Sequence, residues 1–85
     1  MEIIYQKRAL EDLDFWKLSG NKQIQKKITE LLSDIIQHPF TGIGKPEPLK
    51  HQLQGCWSRR ITDEHRLVYE IFDKNIHIFS MRGHY

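Results

Sequence analysis

The stretch CWSRRITDEHRLVYEIFDKNIHIFSM, Cys56–Met81, decides the fold. It divides into three short runs rich in aromatic and β-branched residues: Cys56–Ile61, His65–Phe72 and Ile76–Met81. The polar links Thr62–Glu64 and Asp73–Asn75 are short enough to be hairpin turns, so the spacing predicts an antiparallel meander. In the middle run Leu67, Tyr69 and Ile71 alternate with Arg66, Val68, Glu70 and Phe72, giving one apolar and one mixed face. By the same alternation Ile76, Ile78 and Ser80 oppose His77, Phe79 and Met81.

Upstream of the meander, Leu49–Leu53 offers a further strand before a Gln54-Gly55 turn. Pro39–Lys50, PFTGIGKPEPLK, contains all three prolines of the chain and two of its glycines. It reads as a stiffened loop. The preceding segment, NKQIQKKITELLSDIIQH at residues 21–38, sets Ile24, Ile28, Leu31, Leu32, Ile35 and Ile36 on one helical stripe. Ser19, Gly20 and Asn21 offer a cap at its start, and Pro39 disfavours helical geometry at the residue before it. Gln6–Leu18 places Ala9, Leu10, Leu13 and Trp16 on the inner side of another helix, and Met1–Tyr5 reads as a leading strand. The expected fold is α+β: one domain over residues 1–85, with two N-terminal helices packed on one face of a small twisted antiparallel sheet.

Composition narrows the function classes. One cysteine, Cys56, excludes an intrachain disulfide framework and a cysteine-based zinc finger. No apolar run approaches the roughly 20 residues of a membrane span, and the start at Met1-Glu2-Ile3 is unlike an export signal, so a soluble cytoplasmic protein is expected. The formal charge of +2 is small, but it is unevenly placed. Residues 1–44 balance to zero. Residues 45–60 hold Lys45, Lys50, Arg59 and Arg60 against Glu47 alone, a net of +3.

No GxGxxG, Walker, HExxH or GxSxG pattern is present, and the five histidines lack an i, i+4 pair, so no metal or cofactor is expected. Gly42-Ile43-Gly44-Lys45 reads as a turn. The remaining candidates lie in the basic half: Glu47, Lys50, His51, Arg59, Arg60, Arg66, His84 and Tyr85. Glu47 stands between two prolines, which suits a carboxylate held in one place, although spacing alone favours an exposed loop glutamate. Arg66 lies among apolar strand residues, where it could pair with Glu70 or with an acid across the sheet. A basic, aromatic-bearing face with one carboxylate and one imidazole is compatible with RNA cleavage without requiring it.

The stretch GKPEPLKHQLQGCWSRRITDEHRLVYEI, Gly44–Ile71, together with the terminal His84-Tyr85, resembles the YoeB family of bacterial toxins, within the RelE-like superfamily. The HPF step at His38–Phe40 extends the likeness into the helical half. KPEPLKH, the W-S-R-R-I strand, EHRLVY and the C-terminal HY are specific in combination. Cys56 and Gly83 depart from the family pattern, standing where aromatic residues are common. Cys56 is expected to be a packing residue.

The resemblance implies a ribosome-dependent endoribonuclease of a type II toxin–antitoxin system, cutting messenger RNA in the decoding site without a metal. It also implies a cognate YefM-like antitoxin with an acidic, partly disordered C-terminal segment, and leaves homodimer formation open. Carried onto this sequence, the family's catalytic positions fall on Glu47, Arg66, His84 and Tyr85. Lys50 and Arg60 fall on supporting basic positions, and His51 and Arg59 join them as expected substrate contacts. Glu47 is then the base that takes the RNA 2′-hydroxyl proton and His84 the acid for the leaving 5′-oxygen. Arg66, with Lys50 and Arg60, holds the phosphate, and Tyr85 stacks on a base or orients the phosphate. A protein that binds RNA or the ribosome and blocks translation without cutting is the alternative. The two readings differ in what Glu47 and His84 do.

Overall fold

The apolar period of the N-terminal half forms two helices, α1 (Lys7–Ser19) and α2 (Lys22–Gln37), in the computed structural model, which describes residues 1–84. Gly20 ends α1 in the left-handed region at φ 73°, a conformation that costs glycine little. The Asn21 side chain then caps α2 by accepting from the Ile24 N–H at 3.1 Å. Both helices lie within one residue of the expected bounds.

Five strands make one sheet: β1 (Ile3–Tyr5), β2 (Glu47–Pro48), β3 (Trp57–Arg60), β4 (Arg66–Phe72) and β5 (Asn75–Ser80), in the order β1-β5-β4-β3-β2. The meander β3-β4-β5 is antiparallel as expected. Its second hairpin turns on Asp73 and Lys74, at φ 52° and 64°, the positive-φ pair of a two-residue type I′ turn. β1 departs from the expected pattern, lying parallel to β5 with Ile3 opposite Ile76 and Tyr5 opposite Ile78. The two helices and three other strands intervene between them, so no hairpin dictates their direction.

Further expectations need correction. Leu49–Leu53 is not a strand. After β2, the chain winds through successive turns, with Leu53 N–H donating to Lys50 O and Cys56 N–H to Leu53 O, and residues His51–Leu53 form a 3-10 turn. Met81 lies in the core alongside Ile76 and Ile78, not on the opposite face. A bulge between β4 and β5 pairs Val68 with Ser80 but Tyr69 with Ile78, leaving Phe79 extra and reversing the alternation beyond it. In α1 Leu10 points outward and Asp12 inward, because the Asp12 carboxylate accepts the Met81 N–H at 2.9 Å.

The core lies between the helices and one sheet face. Trp16 of α1 and Ile24, Ile28, Leu31 and Ile35 of α2 meet Leu67, Tyr69, Ile76 and Ile78 of the sheet. Ile36, expected on the same stripe, is exposed. Among the described residues no helix is long and apolar enough to cross a membrane.

Candidate functional site

With the helices on one face, the other face of the sheet is left for polar residues. Period-two alternation puts Ser58 and Arg60 of β3 on it, with Arg66 and Val68 of β4. The register completes the set: Glu47 of β2 lies opposite Ser58, Ser58 opposite Val68, and Arg60 opposite Arg66. Glu47 is exposed on an edge strand, where the flanking prolines remove no needed ladder donor. It therefore occupies a strand rather than a free loop.

Lys45, Glu47, Ser58, Arg60 and Arg66 line one cleft of about 230 Å³. Three cations thus surround one carboxylate. A second hollow of about 420 Å³, formed by the Glu47–Leu53 segment, shares Glu47 and brings in Lys50 and His51. Lys45 and His51 both hold positive φ, at 52° and 58°, an uncommon conformation for residues with a side chain.

Directly opposed like charges destabilise a sheet, so the Arg60–Arg66 pair needs compensation. Little comes from acids. Arg60 approaches Asp63 at 3.6 Å, but Asp63 is 96% exposed and such a pair is weak. The Arg60 Nε is buried with no hydrogen-bond partner among the described residues. Arg66 does not pair with Glu70 as the sequence suggested. Its Nη1 donates to the backbone carbonyls of Thr62, Asp63 and His65, at 2.6, 3.0 and 3.2 Å. Those carbonyls aim the guanidinium without neutralising it, so the cleft keeps its positive charge.

Arg59 is a correction. It stands on the inner face of β3, 0% exposed, and cannot touch a substrate without unfolding its surroundings. Its guanidinium meets the Asp34 carboxylate at 2.5 Å and donates to the carbonyls of His38, Thr41 and Ile43. Its Nε donates to the Tyr69 hydroxyl, which donates in turn to Pro39 O. The hydrogen bond from Arg59 is the main reason the Asp34 carboxyl titrates below its ordinary range, while burial pushes the Tyr69 hydroxyl up. Arg59 thereby straps the loop that leads into Lys45 and Glu47. Gly42 and Gly44 allow it: a Cβ on Gly42 would collide with the Asp34 carboxylate, and one on Gly44 would lie 2.7 Å from Leu31. The Arg60 N–H then fixes Gly44 O at 2.6 Å.

The C-terminal segment reaches the same sheet end. Trp16 Nε1 donates to Met81 O at 2.8 Å and Arg8 donates to Arg82 O at 3.0 Å. The Arg66 N–H donates to Gly83 O at 3.0 Å, and the Gly83 N–H to His65 Nδ1 at 2.9 Å. His84 follows as an exposed residue, one step beyond the residue bonded to the Arg66 backbone. It is not among the residues lining the two hollows. Tyr85 lies outside the described residues. Cys56 is half-buried, and burial followed by the nearby Glu70 pushes its thiol up, away from nucleophilic chemistry.

Of the expected residues, Glu47, Arg60 and Arg66 meet in one cleft, and Lys50 and His51 adjoin it through Glu47. The sequence reading missed Lys45 and Ser58 as parts of the cleft. Lys45 is visible only as one charge of a basic segment, Ser58 only through sharing the strand parity of Arg60.

Residues 5–85 match the family model of the YoeB-like toxin of bacterial type II toxin-antitoxin systems. Toxin YoeB of Escherichia coli (strain K12) is 49% identical over 85 residues, covering 100% of both chains. The structure of a YoeB/ParE toxin from Agrobacterium tumefaciens superposes with a TM-score of 0.95 at 37% identity, covering 100% of each chain. A YoeB chain from Staphylococcus aureus, solved in a YoeB-YefM complex, superposes with a TM-score of 0.89 at 45% identity, over 100% of this chain and 98% of that one. The YoeB dimer from the same organism gives a TM-score of 0.90 at 44% identity, with the same coverage.

Proposed function

The chain belongs to the YoeB-like toxins of bacterial type II toxin–antitoxin systems, and on that premise we propose that it is a ribosome-dependent endoribonuclease. It cuts messenger RNA in the decoding site, in the cytoplasm, and so arrests translation. The observation that carries the reading is the cleft itself, where one carboxylate, Glu47, stands among Lys45, Arg60 and Arg66.

RNA supplies the nucleophile. Glu47 takes the proton from the 2′-hydroxyl as its oxygen attacks the adjacent phosphorus, and His84 gives a proton to the departing 5′-oxygen. The products are a 2′,3′-cyclic phosphate and a 5′-hydroxyl. Arg60 and Arg66 meet the charge that builds on the phosphate, and the phosphate in turn offsets their mutual repulsion. Lys45 and Lys50 add to the field, His51 borders the adjoining hollow, and Tyr85 stacks on a base or orients the phosphate. The cleft of about 230 Å³ has room for a phosphate and its surroundings, and the hollow beside it shares Glu47. On the family premise the ribosome presents the RNA to them.

A YefM-like antitoxin with an acidic C-terminal segment suits the same basic face, and that segment would order as it binds. The Staphylococcus aureus relative, solved both with YefM and as a dimer, supports these two partnerships.

Primer extension on a translated messenger, comparing wild type with Glu47→Gln, tests the reading. Removing the base should slow cleavage about 10²–10⁴-fold while ribosome binding persists. Cleavage by Glu47→Gln at the wild-type rate would overturn it. Arrest without cut transcripts by both proteins would make this a binding inhibitor.

A further inference from the structure

We propose that His65 is a positioning residue for His84, acting through a hydrogen bond that fixes the backbone of Gly83. The inference rests on the assignment of His84 to the cleavage site made above.

The segment before His84 is held at every step. Met81 is clamped by Asp12 on its N–H and by Trp16 on its carbonyl, at 2.9 and 2.8 Å. Arg82 is tied to Arg8 through its carbonyl, and its guanidinium lies 3.6 Å from the centre of the Phe15 ring. Gly83 is the last anchor. Its carbonyl accepts from the Arg66 N–H, and its N–H donates to His65 Nδ1 at 2.9 Å. His65, just before β4, and Arg66, its first residue and a phosphate-holding arginine in the proposed mechanism, thus grip the residue before His84. Adjacent Cα atoms are only about 3.8 Å apart, so this grip places the His84 backbone beside Arg66.

Gly83 needs such an anchor. It sits at φ 79°, a region glycine enters freely and leaves as freely. Without the hydrogen bond, rotation at Gly83 would swing His84 away. A displacement of about 1 Å in a reacting group can cost on the order of 100-fold in rate.

His65 is itself held in place. Its ring stands edge-on to Trp16, with centroids 4.8 Å apart and planes at 80°. Its own N–H donates to the Thr62 hydroxyl at 3.1 Å. Accepting from Gly83 requires an unprotonated Nδ1, so the ring carries its proton on Nε2. A ring kept only for packing would show no such requirement.

The test is single-turnover cleavage on programmed ribosomes with saturating toxin. His65→Phe keeps a ring against Trp16 but removes the acceptor, while His65→Asn puts an amide oxygen near the Nδ1 position. The maximal rate of His65→Phe should fall about 10–100-fold, with the half-saturating toxin concentration unchanged, and His65→Asn should recover most of the loss. Wild-type rates for His65→Phe, equal losses in both variants, or a loss confined to half-saturation would each overturn the proposal. Glu47→Gln runs alongside. Its full activity would sink the site assignment itself, whereas an inactive Glu47→Gln beside a fully active His65→Phe sinks only the role of His65. Should His65→Phe fail to fold, the wild-type protein still decides. A 15N–15N coupling across the Gly83–His65 hydrogen bond is expected by NMR, and a proton found on Nδ1 would overturn the proposal.

Discussion

On the inner face of β3, Arg59 is shut away beneath the helices with an acid, three carbonyls and a tyrosine hydroxyl around it. One residue later, on the outer face, Arg60 stands opposite another arginine with one of its nitrogens buried and unpartnered among the described residues. The same side chain thus serves the fold on one face and leaves an unsatisfied cation on the other. A buried cation with every donor engaged has nothing to offer a ligand. Cations that outnumber the acids around them lower their energy when an anion arrives, and that separates the two roles more sharply than position in a basic segment does.

The difference can be broken or sharpened by substitution. Arg59→Met should cost the most, about 3–5 kcal/mol, because it leaves the Asp34 carboxylate and several carbonyls without their donor. Denaturant unfolding would measure it, and a variant as stable as wild type would erase the distinction between the faces. Arg66→Ala should do the reverse, lowering cleavage about 10²–10³-fold while shifting unfolding by only about 1 kcal/mol. Rates on programmed ribosomes and urea midpoints, taken together, check both halves.

Acid titration probes the inner face through Asp34. The Asp34 carboxyl, held by Arg59, ionises below its ordinary value near 3.8. Its contribution to stability is complete above that ordinary value and is lost as pH falls through the lowered one. Asp34→Asn should therefore be less stable than wild type at neutral pH, with the gap narrowing below about pH 4. A gap that stayed constant on acidification would count against the pair. The smallest effect is expected for Arg60→Gln, which relieves the opposed charges. Unfolding should be unchanged or raised by about 0.2–1 kcal/mol, even as cleavage weakens.

Much of the fold is legible in local sequence, because helix and hairpin signals are local. The isoleucine spacing of α2 and the three short runs after Cys56 gave their elements directly. What escaped depends on distant partners. Nothing near Ile3 announces Ile76, and nothing near Asp12 announces the Met81 N–H that draws it inward. The bulge at Phe79 is a matter of register, which alternation within one strand does not reveal. At the site, Glu47, Arg60 and Arg66 were readable from the family likeness and from the basic segment. The charge of Arg59 suggests a surface contact, but its parity in β3 turns it inward. Arg59 shares its face with Trp57 and Ile61, and its cross-strand partner is the inward-facing Leu67.

The parallel pairing of β1 with β5 carries a consequence for synthesis. β1 lies at the sheet edge, with β5 as its one neighbour in the sheet, and Ile76 reaches back to Glu2 O at 2.8 Å. A chain made from its N-terminus can build both helices early, but its first strand waits some seventy residues for a place to dock. Such a late, long-range closure is slow compared with local helix formation. The sheet is therefore completed only after β5 has been made, whereas the cleft residues on β2, β3 and β4 can already be in place.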